Sequence, residues 1–283
     1  MLRLFAVYIW IYLPGRFQKK VSSFFSFVFQ AQFSKLFIVP YCLFFGLDSN
    51  YLNQFEPDSE TSTYESYSDF FKRKYKKAPT VQSDLIWPCE GYVCDWGTLK
   101  DKRITTVKGQ KVEALQIFGN QHRVALDEKS FFINIFLHNH NYHRIHAPAE
   151  LKVESIDYVS GELIFLRPWF YSSEQISKPA LLNERATIRF SDQNNKTWLL
   201  TFVAGFGVGG IALESFMQPG AVVQAGQEIG HFQLGSTICM VTPYEVAIDR
   251  YLQPVKAFDV LKINKQQSEY LKDNMRLKVQ GNV

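Results

Sequence analysis

No aspartate or glutamate precedes Asp48, whereas Arg3, Arg16, Lys19, Lys20 and Lys35 all do. Without acids, this segment cannot be a helix laced with ion pairs, and it is uniformly basic. Long apolar runs are missing too. Residues 4–13 and 36–47 each fall short of the ~20 residues that a membrane-spanning helix needs, and Pro40 interrupts the second. No small-residue cleavage site follows the first run, only Pro14-Gly15-Arg16-Phe17, which argues against a signal peptide. Cysteine is scarce. Cys42, Cys89, Cys94 and Cys239 form neither a CxxC pair nor a disulfide framework, so free thiols in a reducing compartment are expected. Charge is sparse at 20% and nets only +4, which excludes the basic face of a nucleic-acid-binding protein.

What the chain does have is aromatic residues, 16% with 25 Phe, and much of that excess lies in the first 71 positions. Short apolar runs interleaved with Lys and Arg predict helices lying in the headgroup region of an anionic membrane. Inward packing of some of these rings is compatible with that. Residues 48–79 turn polar and read as a linker with a short helix near Phe70-Phe71-Lys72-Arg73; the basic cluster 72–77 reads as a solvated face. Residues 1–78 are therefore expected to form a helical, membrane-associating region, and 79–283 a β-rich domain.

After Pro88, short strands alternate with Gly, Asn and Asp turns, as at 105–107, 131–137, 152–158, 186–190 and 198–203. No long amphipathic helix intervenes, which disfavours a doubly wound sheet. The expected fold class is α+β: N-terminal membrane-associating helices, then a mostly antiparallel β sandwich or barrel. Residues 219–230 read as a hairpin with Gly220 and Gly226 at its turns.

Four histidines, His138, His140, His143 and His146, fall within nine residues. On one unbroken strand, His138 and His140 would share a face and His143 would take the other. A metal site needs convergent ligands, often with a carboxylate, and no acid lies between Ser130 and Ala149, so no metal is expected. A general base is the alternative use, since imidazole titrates near neutrality. Gly205-Phe206-Gly207-Val208-Gly209-Gly210 fits GxGxxG, yet Pro219-Gly220 follows too soon for a crossover helix, which argues against a dinucleotide.

Several separated segments carry a family likeness: Tyr142-His143-Arg144-Ile145-His146-Ala147-Pro148, Asn183-Glu184-Arg185, residues 226–232 and Leu234-Gly235-Ser236-Thr237. With Tyr12-Leu13-Pro14 and Phe70-Phe71-Lys72-Arg73, they make residues 8–247 resemble the bacterial branch of the phosphatidylserine decarboxylases. That resemblance implies self-cleavage between Gly235 and Ser236 into a large subunit, 1–235, and a small one, 236–283, that stay associated. Ser236 would attack the preceding carbonyl, and the resulting ester would eliminate and hydrolyse to a pyruvoyl group. His146 is the implied base, oriented by an acid, here Glu90. The pyruvoyl cofactor would form a Schiff base with phosphatidylserine and release carbon dioxide, leaving phosphatidylethanolamine. His143 would assist decarboxylation or reprotonation. An anionic membrane surface is the implied partner, a homodimer would suit the family, and the expected setting is the cytoplasmic face of a bacterial inner membrane.

Two residues depart from the family pattern. Pro88-Cys89-Glu90-Gly91 has Glu where the family has Asp, which moves the carboxylate by about 1.5 Å. Asn141 stands where Asp usually precedes Tyr-His-Arg. Three rival readings follow. A homologue that binds lipid without processing would be explained by Glu90. The same chemistry could serve another amino-acid substrate, although the apolar N-terminus favours lipid. The hairpin 223–230 is similar to that of lysostaphin-type zinc endopeptidases, but no His-x-His follows it.

Overall fold

The computed structural model describes residues 9–59, 61–99, 105–107, 110–112, 114–119, 127, 129–166, 178–206, 210–233 and 236–264. Helices α1 (Gly15–Gln30), α2 (Ile38–Phe45), α3 (Ser49–Leu52) and α4 (Tyr67–Phe71) come first, with the short strands β1 (Phe55–Glu56) and β2 (Lys74–Tyr75) around α4. The termini follow local chemistry. Asp48 and Ser66 cap α3 and α4, accepting hydrogen bonds from the amides of Tyr51 and Asp69. Gly46 closes α2 at φ +63°, where Leu47 N–H reaches back to the Cys42 carbonyl.

Strands β3 (Gly91–Thr98), β4 (Thr105–Val107), β5 (Gln110–Val112), β6 (Phe131–Leu137), β7 (Arg144–His146) and β8 (Leu151–Val159) come next. Helix α5 (Lys178–Leu182) precedes β9 (Arg185–Ser191), β10 (Thr197–Ala204), β11 (Ile211–Leu213), β12 (Val222–Val223), β13 (Glu228–Phe232), β14 (Ser236–Thr242) and β15 (Gln253–Val255). An antiparallel eight-stranded sheet runs β12-β8-β9-β10-β14-β6-β3-β15, and a smaller one runs β11-β13-β7. The large sheet is open, so the expected architecture holds as a sandwich and not as a closed barrel. Alternation along β6 explains the layering. Ile133, Ile135 and Leu137 join Ile145, Ile229 and Phe232 beneath the small sheet, while Phe132 and Phe136 pack with Ile117, Phe118 and Leu166 on the other face.

Gly220 and Gly226 take the turns of the 219–230 hairpin at φ +92° and +83°. Residues 207–209 lie outside the described residues, but strand β11, and no helix, follows Gly210. All four cysteines are free.

Helix α1 is inverted. Its stripe Gln18, Ser22 and Ser26 is buried, while Phe17, Phe24 and Phe27 are exposed. Gln18 explains the inversion: its amide donates to the Trp10 and Leu13 carbonyls and accepts from Leu163 N–H, docking the helix through polar groups. Lys19 adds a 2.7 Å ion pair to Glu184. Helix α1 and the following turn with α2 are bent by 81°, and among the described residues no single helix is long and apolar enough to cross a membrane.

The Asn183-Glu184-Arg185 segment is a hub. Asn183 accepts from Ile164 N–H and donates to the Ile164 and Ala204 carbonyls, and Arg185 donates to the Gln116 and Ile117 carbonyls. Replacing Asn183 with Ala strands these backbone groups in a fully buried site. We expect Asn183→Ala to destabilise the uncut Ser236→Ala chain by about 2–4 kcal/mol, read from its urea unfolding midpoint.

Candidate active site

Antiparallel pairing brings the ends of four strands to one edge of the large sheet. Ser236 opens β14 opposite Leu137, the last residue of β6, and Ala204, the last residue of β10. Glu90 lies just before β3, which pairs with β6 from the same edge. Gly91 allows the close approach: a Cβ there would sit 2.6 Å from the Phe136 carbonyl oxygen. Glu90 and Ser236 are thus two strand spacings apart, about 10 Å along the sheet. Gly235, the other half of the expected cleavage pair, lies outside the described residues.

The histidine segment is not one strand. It leaves β6 after Leu137, turns, and rejoins regular structure at Arg144. Asn141 makes the turn, its side-chain oxygen accepting from His138 N–H at 2.8 Å while its own amide donates to the His138 carbonyl. His138 and His140 therefore sit on the loop with their rings 4.3 Å apart, against Phe45 of α2.

His143 is fully buried under the Phe71 ring at 3.9 Å. Its Nδ1 lies 2.8 Å from the Asn141 carbonyl, which can only accept, so Nδ1 carries the proton and Nε2 a lone pair. Among the described residues, that Nε2 has no hydrogen-bond partner. Burial, followed by the Arg73 charge, holds its pKa well below the usual imidazole range. His146 has the same tautomer: Nδ1 donates to the Gly226 carbonyl at 2.9 Å, and Nε2 accepts from the Tyr142 hydroxyl at 3.0 Å. Burial pushes it down to about 4.

Glu90 is buried and accepts from Asn141 Nδ2 at 2.8 Å and from the Tyr51 hydroxyl at 3.1 Å. The extra methylene of Glu and the amide of Asn141 thus meet in one hydrogen bond. Among the described residues, no hydrogen bond joins Glu90 to His146, or His146 to Ser236. From His143 to His146 the chain runs along β7, about 10 Å. His143 lies opposite Phe232, near the Ser236 end of β13, while His146 lies opposite Glu228 at the far end. The Ser236 hydroxyl is fully buried and, among the described residues, has no hydrogen-bond partner.

Two residues here escaped the sequence reading. Arg73, expected on a solvated basic face, is completely buried. It donates to the His140 and Asn141 carbonyls at 2.8 and 3.0 Å and to the Tyr51 hydroxyl at 3.2 Å. Its signal in sequence is the Phe70-Phe71-Lys72-Arg73 segment, which carried the family likeness but assigned the guanidinium no role. Tyr51 has none, because its partners lie 22 and 39 positions away. Arg144, inside the histidine motif, pairs with Asp58 and Glu228 and donates to the Lys72 carbonyl, tying the linker to β7 and β13. Among the described residues, the one convergence of metal-type ligands is Glu214, Glu228 and His231. It excludes the motif histidines, and Arg144 already engages Glu228.

These neutral histidines couple stability to pH. His146 and His231 both lie near 4 when folded, chiefly through burial, against about 6.5 when unfolded. Their contribution is complete above about pH 6.5 and is lost as pH falls toward 4, since the unfolded chain binds the protons first. At pH 5 each is expected to cost about 2 kcal/mol relative to pH 7.5, measurable as a falling denaturation midpoint. Replacing His231 with Gln should flatten that slope.

Comparison with known proteins gives this geometry its context. A family model for phosphatidylserine decarboxylase matches residues 65–260. The phosphatidylserine decarboxylase proenzyme of Shewanella sp. (strain MR-4) is 30% identical over 224 residues, covering 70% of this chain and 75% of that protein. The proenzymes of Delftia acidovorans and Methylobacillus flagellatus are 28% and 27% identical over 66% and 69% of this chain, and 71% and 74% of their own. With the model covering most of the chain, from α4 through β15, the chain belongs to the phosphatidylserine decarboxylase family.

Proposed function

We propose that this chain is a phosphatidylserine decarboxylase made as a self-cutting proenzyme, converting phosphatidylserine to phosphatidylethanolamine and carbon dioxide at an anionic membrane surface. The observation that carries the reading is Ser236. Buried hydroxyls are normally hydrogen-bonded, yet this one is fully buried and, among the described residues, unbonded, at the strand edge shared by Glu90 and the histidine loop. A pyruvoyl group replaces that hydroxyl and its amine by a carbonyl, which suits a buried site with no donor to lose, and when present it supplies an electron sink for the departing carboxylate. The relatives' description as proenzymes supports processing.

Within this reading, Ser236 Oγ attacks the Gly235 carbonyl carbon, forming an ester as the peptide C–N bond breaks. His146, the base that the family likeness implies, takes the hydroxyl proton through a relay, since it lies at the far end of β13 from Ser236, and the proton passes on to the freed Ser236 nitrogen. The His146 tautomer supports that role, because Nε2 holds a lone pair. In the uncut chain that lone pair is engaged by Tyr142, so proton transfer requires exchange of that bond or passage through the hydroxyl. His143, with its bare Nε2, takes the proton that the substrate ammonium sheds and delivers it to the substrate carbon once carbon dioxide has left. Glu90 braces the loop that carries His143 and leads into β7, through Asn141 and Tyr51.

The inverted helix supports a lipid substrate. Leu43 and Phe44 of α2 are 78% and 81% exposed, while Phe45 beside them packs on His138 and His140. The exposed apolar side chains of this region, whose exposed charges Arg16, Lys20 and Lys35 are all basic, thus adjoin the histidine loop through Phe45, fitting a helix pair that lies in the headgroup layer of anionic lipid. The setting that goes with it is the cytoplasmic face of a bacterial inner membrane.

Intact-mass analysis of the purified chain tests processing. Two fragments divided at Gly235/Ser236, the smaller bearing a pyruvoyl terminus, are expected, and Ser236→Ala should stay whole. His146→Ala should also stay uncut, whereas His143→Ala should cut and lose about 10²-fold or more in decarboxylation. A folded wild-type chain that remains single would leave a lipid-binding homologue and sink the enzyme reading. For the membrane, Leu43→Asp with Phe44→Asp should lower binding to phosphatidylglycerol vesicles by at least about tenfold and leave cleavage intact.

A further inference from the structure

We propose that Arg73 is the positioning residue that fixes His143 in its reactive tautomer, by pinning the Asn141 carbonyl to which His143 Nδ1–H donates. The Asn141 carbonyl accepts twice, from His143 Nδ1 at 2.8 Å and from Arg73 Nη2 at 3.0 Å. The same guanidinium nitrogen holds the neighbouring His140 carbonyl at 2.8 Å. Two successive carbonyls of the loop are therefore turned toward one planar donor, and the second is held where the imidazole must meet it with a proton. A carbonyl cannot donate, so the Nε2–H tautomer would break this bond. The outcome is a proton on Nδ1 and a lone pair on the unpartnered Nε2.

Arg73 is itself held rigidly. It is fully buried among the rings of Tyr51, Phe55 and Phe70, 4.9 to 5.7 Å from their centroids, and its Nη1 donates to the Phe70 carbonyl. Its charge reaches Glu90 through one shared group, the Tyr51 hydroxyl, which accepts from Arg73 and donates to the carboxylate. Lysine cannot reproduce this geometry, because its one ammonium nitrogen cannot serve the Phe70 carbonyl on one side and the two loop carbonyls and the Tyr51 hydroxyl on the other, as Nη1 and Nη2 do. The charged and titratable groups acting on His143 are Arg73, from the segment after α4, and His138 and His140, from its own loop. Of these Arg73 alone is permanently charged, and it favours the neutral ring that the tautomer describes.

The test has two arms. In the first, ¹⁵N chemical shifts of His143 are recorded at pH 8 in the uncut Ser236→Ala chain. A protonated Nδ1 and bare Nε2 are expected, with both tautomers appearing on Arg73→Met. A predominantly Nε2–H ring in the Arg73 chain, or an unchanged ring in a folded Arg73→Met chain, overturns the proposal. This arm needs no turnover, so it stands or falls apart from the decarboxylase reading. The second arm rests on that reading and uses processed enzyme, with rates normalised to cut chain. Arg73→Met should lower the rate by roughly 10²-fold and move its acid limb up by about one pH unit, because a cation that disfavours the imidazolium is gone. Arg73→Lys should lose rate while keeping the limb near its original position. Equal losses at every pH in both variants, with unmoved limbs, would make Arg73 merely structural and overturn the proposal.

Discussion

A guanidinium buried without exposure is costly unless acceptors and rings replace water around it, and the site is built around meeting that demand for Arg73. The acceptors come from separate parts of the chain: the end of α4, Tyr51 of α3 and the histidine loop. Meeting the charge thus requires the N-terminal region and the β domain to fold onto each other. The histidine loop cannot relax alone, because moving the His140 or Asn141 carbonyl would strip Arg73 of its acceptors.

Arg144 applies the same logic with carboxylates. It binds Asp58 and Glu228 directly and so links the linker to two strands of the small sheet. The contrast between the two arginines has a chemical consequence. Arg144 is paired directly with two acids, and after burial its charge also helps to hold His231 and His146 below the ordinary imidazole range. Arg73 meets its acid only through a hydroxyl, and its field reaches His143 and His140, both of which are held below the ordinary imidazole range by burial and then by that charge.

The N-terminal helices show amphipathicity used in reverse. Polar docking by Gln18 and the Ser34 hydroxyl, which accepts from Tyr67 N–H, leaves the aromatic face outward. In water such a face is a liability. On the proposed reading lipid covers that face, and Phe45 of the neighbouring helix touches the histidine loop.

Strand periods and turn residues made the β domain legible. The segments at 131–137, 186–190 and 198–203 sit within one residue of β6, β9 and β10, because alternation and Gly or Asn turns are local properties. The motif residues Ser236, His143, His146 and Glu90 were legible too, as residue types in a known order. Their bonding was not. Which tautomer His143 adopts depends on a carbonyl two residues back; Glu90 finds its partners 39 and 51 positions away. Whether a polar stripe or an aromatic one faces the protein was decided by the hydrogen bond from Leu163 to Gln18, 145 residues apart. By itself the sequence determined where strands and turns form and which groups could react, because those follow from local sterics and chemistry. Only the tertiary structure decided which side chains are dry, paired and oriented, because burial and hydrogen bonding belong to the neighbours that folding supplies.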